Sequence, residues 1–157
     1  MKLGIQIDKE FRKYFKEEWL QLVVEKSLAV KDFDSEVELS LLITGEEKVR
    51  ELNKQYRGLD EPTDVLSFAL TERTLGDDNP FITPPDGILH LGEVVISYPQ
   101  AARQAGENRQ GTEQELALLI VHGVLHLLGY EHDEPDREQE MRALEQRVLS
   151  EIEKLLK

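Results

Sequence analysis

His122 and His126 stand four residues apart and His132 follows six later, so three of the chain's four histidines fall within eleven positions. On an α-helix, residues four apart project about 40° from one another, and their side chains reach the same point in space. Such a pair can chelate a metal ion. A straight helix would carry position 132 about 240° round from His126, facing away. The chain must therefore turn, and Gly129 is placed to supply the left-handed residue that ends a helix and lets His132 fold back over the pair. An isolated histidine on a buried helix is usually a hydrogen-bonded core residue. Two imidazoles inside the apolar run Leu116 to Leu128 would be short of partners, at a cost of about 1 to 3 kcal/mol each, and a shared metal removes that cost.

Three neutral imidazoles suit one Zn2+ per chain, with nickel, cobalt or iron also allowed by ligand type, and they leave a fourth position open. Structural zinc is usually closed by four protein ligands, so an open position implies metal-assisted hydrolysis. Helical metalloproteases place a glutamate general base directly after the first histidine. Here that position is Gly123, so peptide hydrolysis lacks its base.

The elements that must position this cluster are legible as periodicities. Leu116 to Leu128 is apolar all round and reads as a central buried helix, opened by a capping box at Thr112-Glu113-Gln114-Glu115. A last helix from near Pro135, with Asp133 as its cap, shows Met141, Leu144, Val148, Ile152 and Leu155 at steps of three and four. Upstream, Trp19, Leu20, Val23, Val24 and Leu28 mark a helix over 17–30. Val37, Leu39, Leu41 and Ile43 alternate with polar residues as a strand over 36–44. Thr44 with Glu47 predicts a capping box for a helix that Gly58 stops. Short strands are expected at 1–8, 65–70 and 88–97, and a short helix at 99–105. The stretch 71–87, with Gly76, Pro80, Pro84 and Pro85, predicts a long loop. The expectation is one α+β domain over 1–157, a small mixed sheet covered by helices.

Bulk properties set the limits. At 157 residues without cysteine, the chain can bury an ordinary core and suits a reducing compartment, with the cytoplasm as the default. No signal-peptide core opens it, and no apolar run is long enough for a membrane span. A net charge of -13 opposes non-specific adhesion to phosphate backbones but says nothing about the field in one cleft.

The run His122-Gly123-Val124-Leu125-His126-Leu127-Leu128-Gly129-Tyr130-Glu131-His132 closely resembles the signature of the YbeY family of rRNA maturation endoribonucleases. Two further stretches resemble that family, from Asn53 through Tyr56-Arg57-Gly58 to Phe68, and Leu91-Gly92-Glu93-Val94-Val95-Ile96-Ser97. The resemblance implies a zinc-dependent, single-strand-specific endoribonuclease acting in 16S rRNA 3′ end maturation and ribosome quality control, with zinc on His122, His126 and His132. It implies single-stranded RNA, the rRNA precursor, the small ribosomal subunit and its assembly proteins as partners, with neither DNA nor membrane. Arg57 matches the arginine that the family places in its cleft. Glu131 and Glu93 depart from the commoner aspartates and retain the charge.

Arg57 read alone is either a phosphate-binding guanidinium or a surface charge at a helix C-terminus. His90, in a strand far from the triad in sequence, reads as a plain sheet residue and is not assigned to the metal. Ser67 lacks the turn of a hydrolase nucleophile and reads as support for the cleft. Thr63 and Asp64 either anchor the segment after Arg57 or are an ordinary strand entry. Two alternatives stand beside the endoribonuclease: a metal-dependent hydrolase of another substrate, and a ribosome-assembly factor whose metal is structural.

Overall fold

The computed structural model of the protein describes residues 2–33, 36–69, 87–131 and 134–156. Four strands, β1 (Lys2–Ile7), β2 (Glu36–Thr44), β3 (Val65–Ala69) and β4 (Ile88–Ser97), form a mixed sheet in the order β1-β2-β4-β3. β1, β2 and β4 run parallel, and β3 lies antiparallel on the edge. The α+β expectation holds.

Alternation on the strands divides the core in two. Leu39, Leu41, Ile43, Val94 and Ile96 point to one face, where α1 (Glu17–Leu28), α4 (Thr112–Leu127) and α5 (Pro135–Leu156) bury their apolar stripes. Leu66 and Val95 point to the other and meet Val49 of α2 (Glu46–Arg57), with Leu42, Leu52 and Phe68 around them. α3 (Tyr98–Glu107) adds Ala101 to the larger cluster. α4 is the middle of that cluster, with Leu116, Ile120, Val124 and Leu125 at most 1% exposed. Among the described residues no helix is long and apolar enough to cross a membrane.

Both capping boxes need correction. Thr44 is the last residue of β2, paired in register with Ser97, and its hydroxyl donates to Asp8 Oδ2 at 2.5 Å. It is therefore committed to the sheet, and α2 starts from Gly45 without a side-chain cap. At α4 the box lies one residue earlier: Gly111 is the cap, and its N–H donates to Gln114 Oε1 at 3.1 Å. α1 ends at Leu28, short of Val30, and α3 is longer than expected. A 3-10 helix over Lys9–Tyr14, which buries Phe11, had no periodic signal. The 71–86 part of the expected loop, Leu70, His132 and Asp133 lie outside the described residues.

Gly92 lets β4 hold a neighbour on each side. The register with β2 passes from Glu38↔His90 to Leu39↔Gly92, leaving Leu91 as the extra residue of a bulge. Gly92 sits at φ 135°, and a Cβ there would stand 2.0 Å from the Phe68 carbonyl oxygen of β3. Gly92→Ala is expected to lose about 2 to 6 kcal/mol, combining positive-φ strain with an overpacked backbone contact. Urea unfolding of the two proteins checks this, and equal midpoints would contradict it.

Candidate metal centre and its cleft

The end of α4 forms as its sequence demands. Gly129 adopts φ 101°; its N–H donates to the His126 carbonyl and that of Tyr130 to the Leu125 carbonyl, both at 3.0 Å. These are the paired bonds of a Schellman ending, which reverses the chain after the second histidine. The expected turn is present as far as Glu131. Burial, with a smaller contribution from Glu140, holds the Tyr130 phenol above its ordinary range, so it enters the turn uncharged at neutral pH.

Gly123 shows how α4 seats on the sheet. A Cβ there would lie 2.7 Å from Val94 Cγ1 and 3.3 Å from both Ser67 Oγ and Val65 Cγ2. The Ser67 hydroxyl donates to the Gly123 carbonyl at 3.0 Å, tying edge strand to helix. Position 123 thus faces the sheet with no room for a side chain, and a metalloprotease glutamate would not fit. Ser67 thus acts in the packing of β3 on α4.

On the neighbouring flank, His122 and His126 converge. Their Nε2 atoms are 3.1 Å apart with the rings nearly perpendicular, at 82°. His122 Nδ1 meets Glu145 Oε1 of α5 at 2.6 Å, and His126 Nδ1 lies 3.5 Å from Glu131 Oε2. A carboxylate beside each Nδ1 favours a proton on that nitrogen, which turns both Nε2 lone pairs towards one another. With neither Nε2 protonated, lone pairs at that separation repel, and a proton or a metal ion between them relieves this. Nitrogens about 2.0 to 2.1 Å from one tetrahedral zinc lie roughly 3.3 Å apart, so this donor set fits zinc. The side chains of His122 and His126 are 29% and 20% exposed, so a substrate can approach them. Among the described residues no cluster of three His, Cys, Asp or Glu completes a metal site. They supply two donors, and the third expected ligand, His132, lies outside them.

Arg57 is not on the histidine face of the sheet. It closes α2, where Gly58 at φ 73° terminates the helix, and its side chain is exposed. Yet both features lean on the same edge strand. Tyr56 packs its ring on Phe68 at 5.3 Å, while Gly123 contacts Ser67, the preceding residue, from the opposite face. α2, which Arg57 closes, and α4 therefore meet adjacent residues of β3 from opposite faces.

The segment between Arg57 and β3 is held at several points. Asn53 Nδ2 donates to the Glu61 carbonyl at 3.0 Å, and Arg50 pairs with Asp60 at 2.8 Å. Asp64 Oδ1 accepts from Val65 N–H at 2.7 Å, and Oδ2 from Gln104 Nε2 at 3.3 Å. The same Gln104 amide donates to the buried Glu115 of α4 at 2.9 Å. Asp64 is thus an anchor rather than a plain strand entry. His90 pairs with Glu38 on the adjacent strand at 2.8 Å, as a sheet residue does. Sequence reading missed Glu145, Asn53, Gln104 and Glu115; an acid within the apolar stripe of α5 was the one available signal, for Glu145.

The chain is similar to known proteins over nearly its whole length. The family model described as endoribonuclease YbeY matches residues 5–153. A protein of that name from Dehalococcoides mccartyi is 44% identical over 161 residues, covering 99% of this chain and 96% of that protein. One from Roseiflexus sp. is 41% identical, covering 94% of this chain and 90% of that protein. The solution structure of TM1509 from Thermotoga maritima superposes with a TM-score of 0.61 at 27% identity, covering 96% of this chain and 88% of that one.

Proposed function

The chain belongs to the endoribonuclease YbeY family, and from that premise we propose that it is a zinc-dependent, single-strand-specific endoribonuclease. Its substrate in this reading is the small-subunit rRNA precursor, cut in 16S rRNA 3′ end maturation and in ribosome quality control in the cytoplasm, beside the small subunit and its assembly proteins. The observation that carries the metal reading is the 3.1 Å approach of two imidazole Nε2 atoms on an accessible helix flank.

His122, His126 and His132 would hold the zinc. When bound, the metal supplies Lewis acidity to the phosphodiester and lowers the pKa of water. The protein's own contribution is positional. Glu145 and Glu131 orient the imidazoles, and Gly123 keeps α4 seated on the sheet. Arg57, across the β3 edge, reaches for the non-bridging oxygens, where a guanidinium matches phosphate in charge and geometry.

The test is to load the purified protein with zinc and follow the cleavage of one RNA, single-stranded and annealed to its complement. Cleavage confined to the single strand, lost on chelation and restored by zinc, is the expected result. Equal cleavage of both forms would overturn the strand preference. No cleavage of either would favour the assembly-factor reading, whose specific support is the net charge of -13, because a factor delivered by protein contacts needs no phosphate affinity of its own.

A further inference from the structure

We propose that Glu145 is a positioning residue for the metal centre, holding His122 in the tautomer that presents Nε2 to the ion; this rests on the zinc reading above. Glu145 belongs to the buried stripe of α5, between Met141 and Val148, and is itself only 8% exposed. A carboxylate is costly there unless it is paired and hydrogen-bonded. It is bonded to His122, whose Nδ1–H donates to Oε1 at 2.6 Å from a helix twenty-three residues earlier. The bond leaves the proton on Nδ1 and the lone pair on Nε2, the atom that faces His126.

The contrast with His126 sharpens the assignment. Its Nδ1 faces Glu131 at 3.5 Å, and the Glu131 side chain is 51% exposed, against 11% for Glu145. The carboxylate beside His122 is thus largely buried between α4 and α5 and bonded at short range, whereas the one beside His126 is half exposed and farther away. A carboxylate behind a ligating imidazole also raises the basicity of the ligand nitrogen.

A purely structural ion pair between α4 and α5 would give the same picture, and substitution separates the two roles. Glu145→Met fills the site with an apolar chain of similar volume. The substitution removes one partner of the bond and leaves the His122 Nδ1–H without that acceptor, so some loss of fold stability is expected. Removing the group behind a metal-ligating histidine typically weakens metal affinity by about 10- to 100-fold. The expected result is a metal-free Glu145→Met protein that still unfolds in one cooperative transition, and that yields zinc to a competing chelator at that much lower affinity. Glu145→Gln, whose amide oxygen can still accept from Nδ1–H, should recover part of the loss.

Nitrogen-15 shifts of His122 in the metal-free proteins report the tautomer directly, while zinc affinity is the readout that separates positioning from a purely structural bond. Wild type and Glu145→Gln should carry the proton on Nδ1, and Glu145→Met a mixture of tautomers. Zinc affinity and tautomer unchanged in Glu145→Met would overturn the role of Glu145 alone. A wild-type protein that takes up no zinc would overturn the zinc reading, and this role with it.

Discussion

Purified His126→Ala protein is expected to come off a zinc-loaded column almost free of metal, while wild type retains one equivalent. The two Nε2 atoms 3.1 Å apart are the densest part of the donor set among the described residues, and removing one leaves the ion without a chelate on α4. Structural zinc sites bind with about 10 to 16 kcal/mol over four ligands, so one ligand is worth roughly 3 to 4 kcal/mol, or a factor of about 10² to 10³ in affinity. The fold should tolerate the change. Leu125, Leu127 and Leu128 carry the packing on either side, whereas the His126 side chain is partly exposed and makes polar contacts. His90→Ala is the control: that imidazole pairs with Glu38 between β2 and β4, and its loss should leave zinc content unchanged. Metal analysis of the three proteins decides the matter. Stoichiometric zinc in His126→Ala would sink the histidine site, and loss in both variants would point to a site elsewhere.

Much of this centre could be read from one dimension because its determinants are local. A four-residue spacing on an apolar helix followed by glycine dictates both the convergence of two imidazoles and the reversal after them, and the Schellman bonds of Gly129 and Tyr130 bear this out. β2 and α5 announce themselves by period for the same reason. What escaped is what depends on a distant partner. Glu145 stands out in one dimension only as an acid on the apolar stripe of α5, and only the packing of α5 on α4 turns it towards His122. Thr44 looks like a cap until Asp8, thirty-six residues earlier, claims its hydroxyl. The need for glycine at position 92 arises only when β3 arrives on the other side of β4. Sheet order decides such contacts, and no periodicity encodes it.

The placement of Arg57 depends on the same non-local geometry, and its removal should have the largest effect on chemistry without touching the metal. It ends α2 on one face of β3, while the histidine pair occupies the other, the two linked through the adjacent residues Phe68 and Ser67. A phosphodiester lying over the β3 edge would have a guanidinium on one side and the imidazole-bound ion on the other. Charge on the non-bridging oxygens grows towards the transition state, so a preorganised cation there stabilises that state more than the bound RNA. Loss of one such stabiliser typically lowers the rate about 10²- to 10³-fold, or roughly 3 to 4 kcal/mol. Arg57→Ala should therefore cut single-stranded RNA that much more slowly in single-turnover reactions at saturating enzyme. Zinc content and unfolding midpoint should match wild type, because the side chain is exposed and Gly58 still ends the helix. Arg57→Lys should fall between the two, since a lysine keeps the charge but not the two-pronged fit to phosphate. A wild-type rate in Arg57→Ala with its metal intact would take the residue out of the mechanism. A rate lost together with zinc would instead make it part of the support for the metal site.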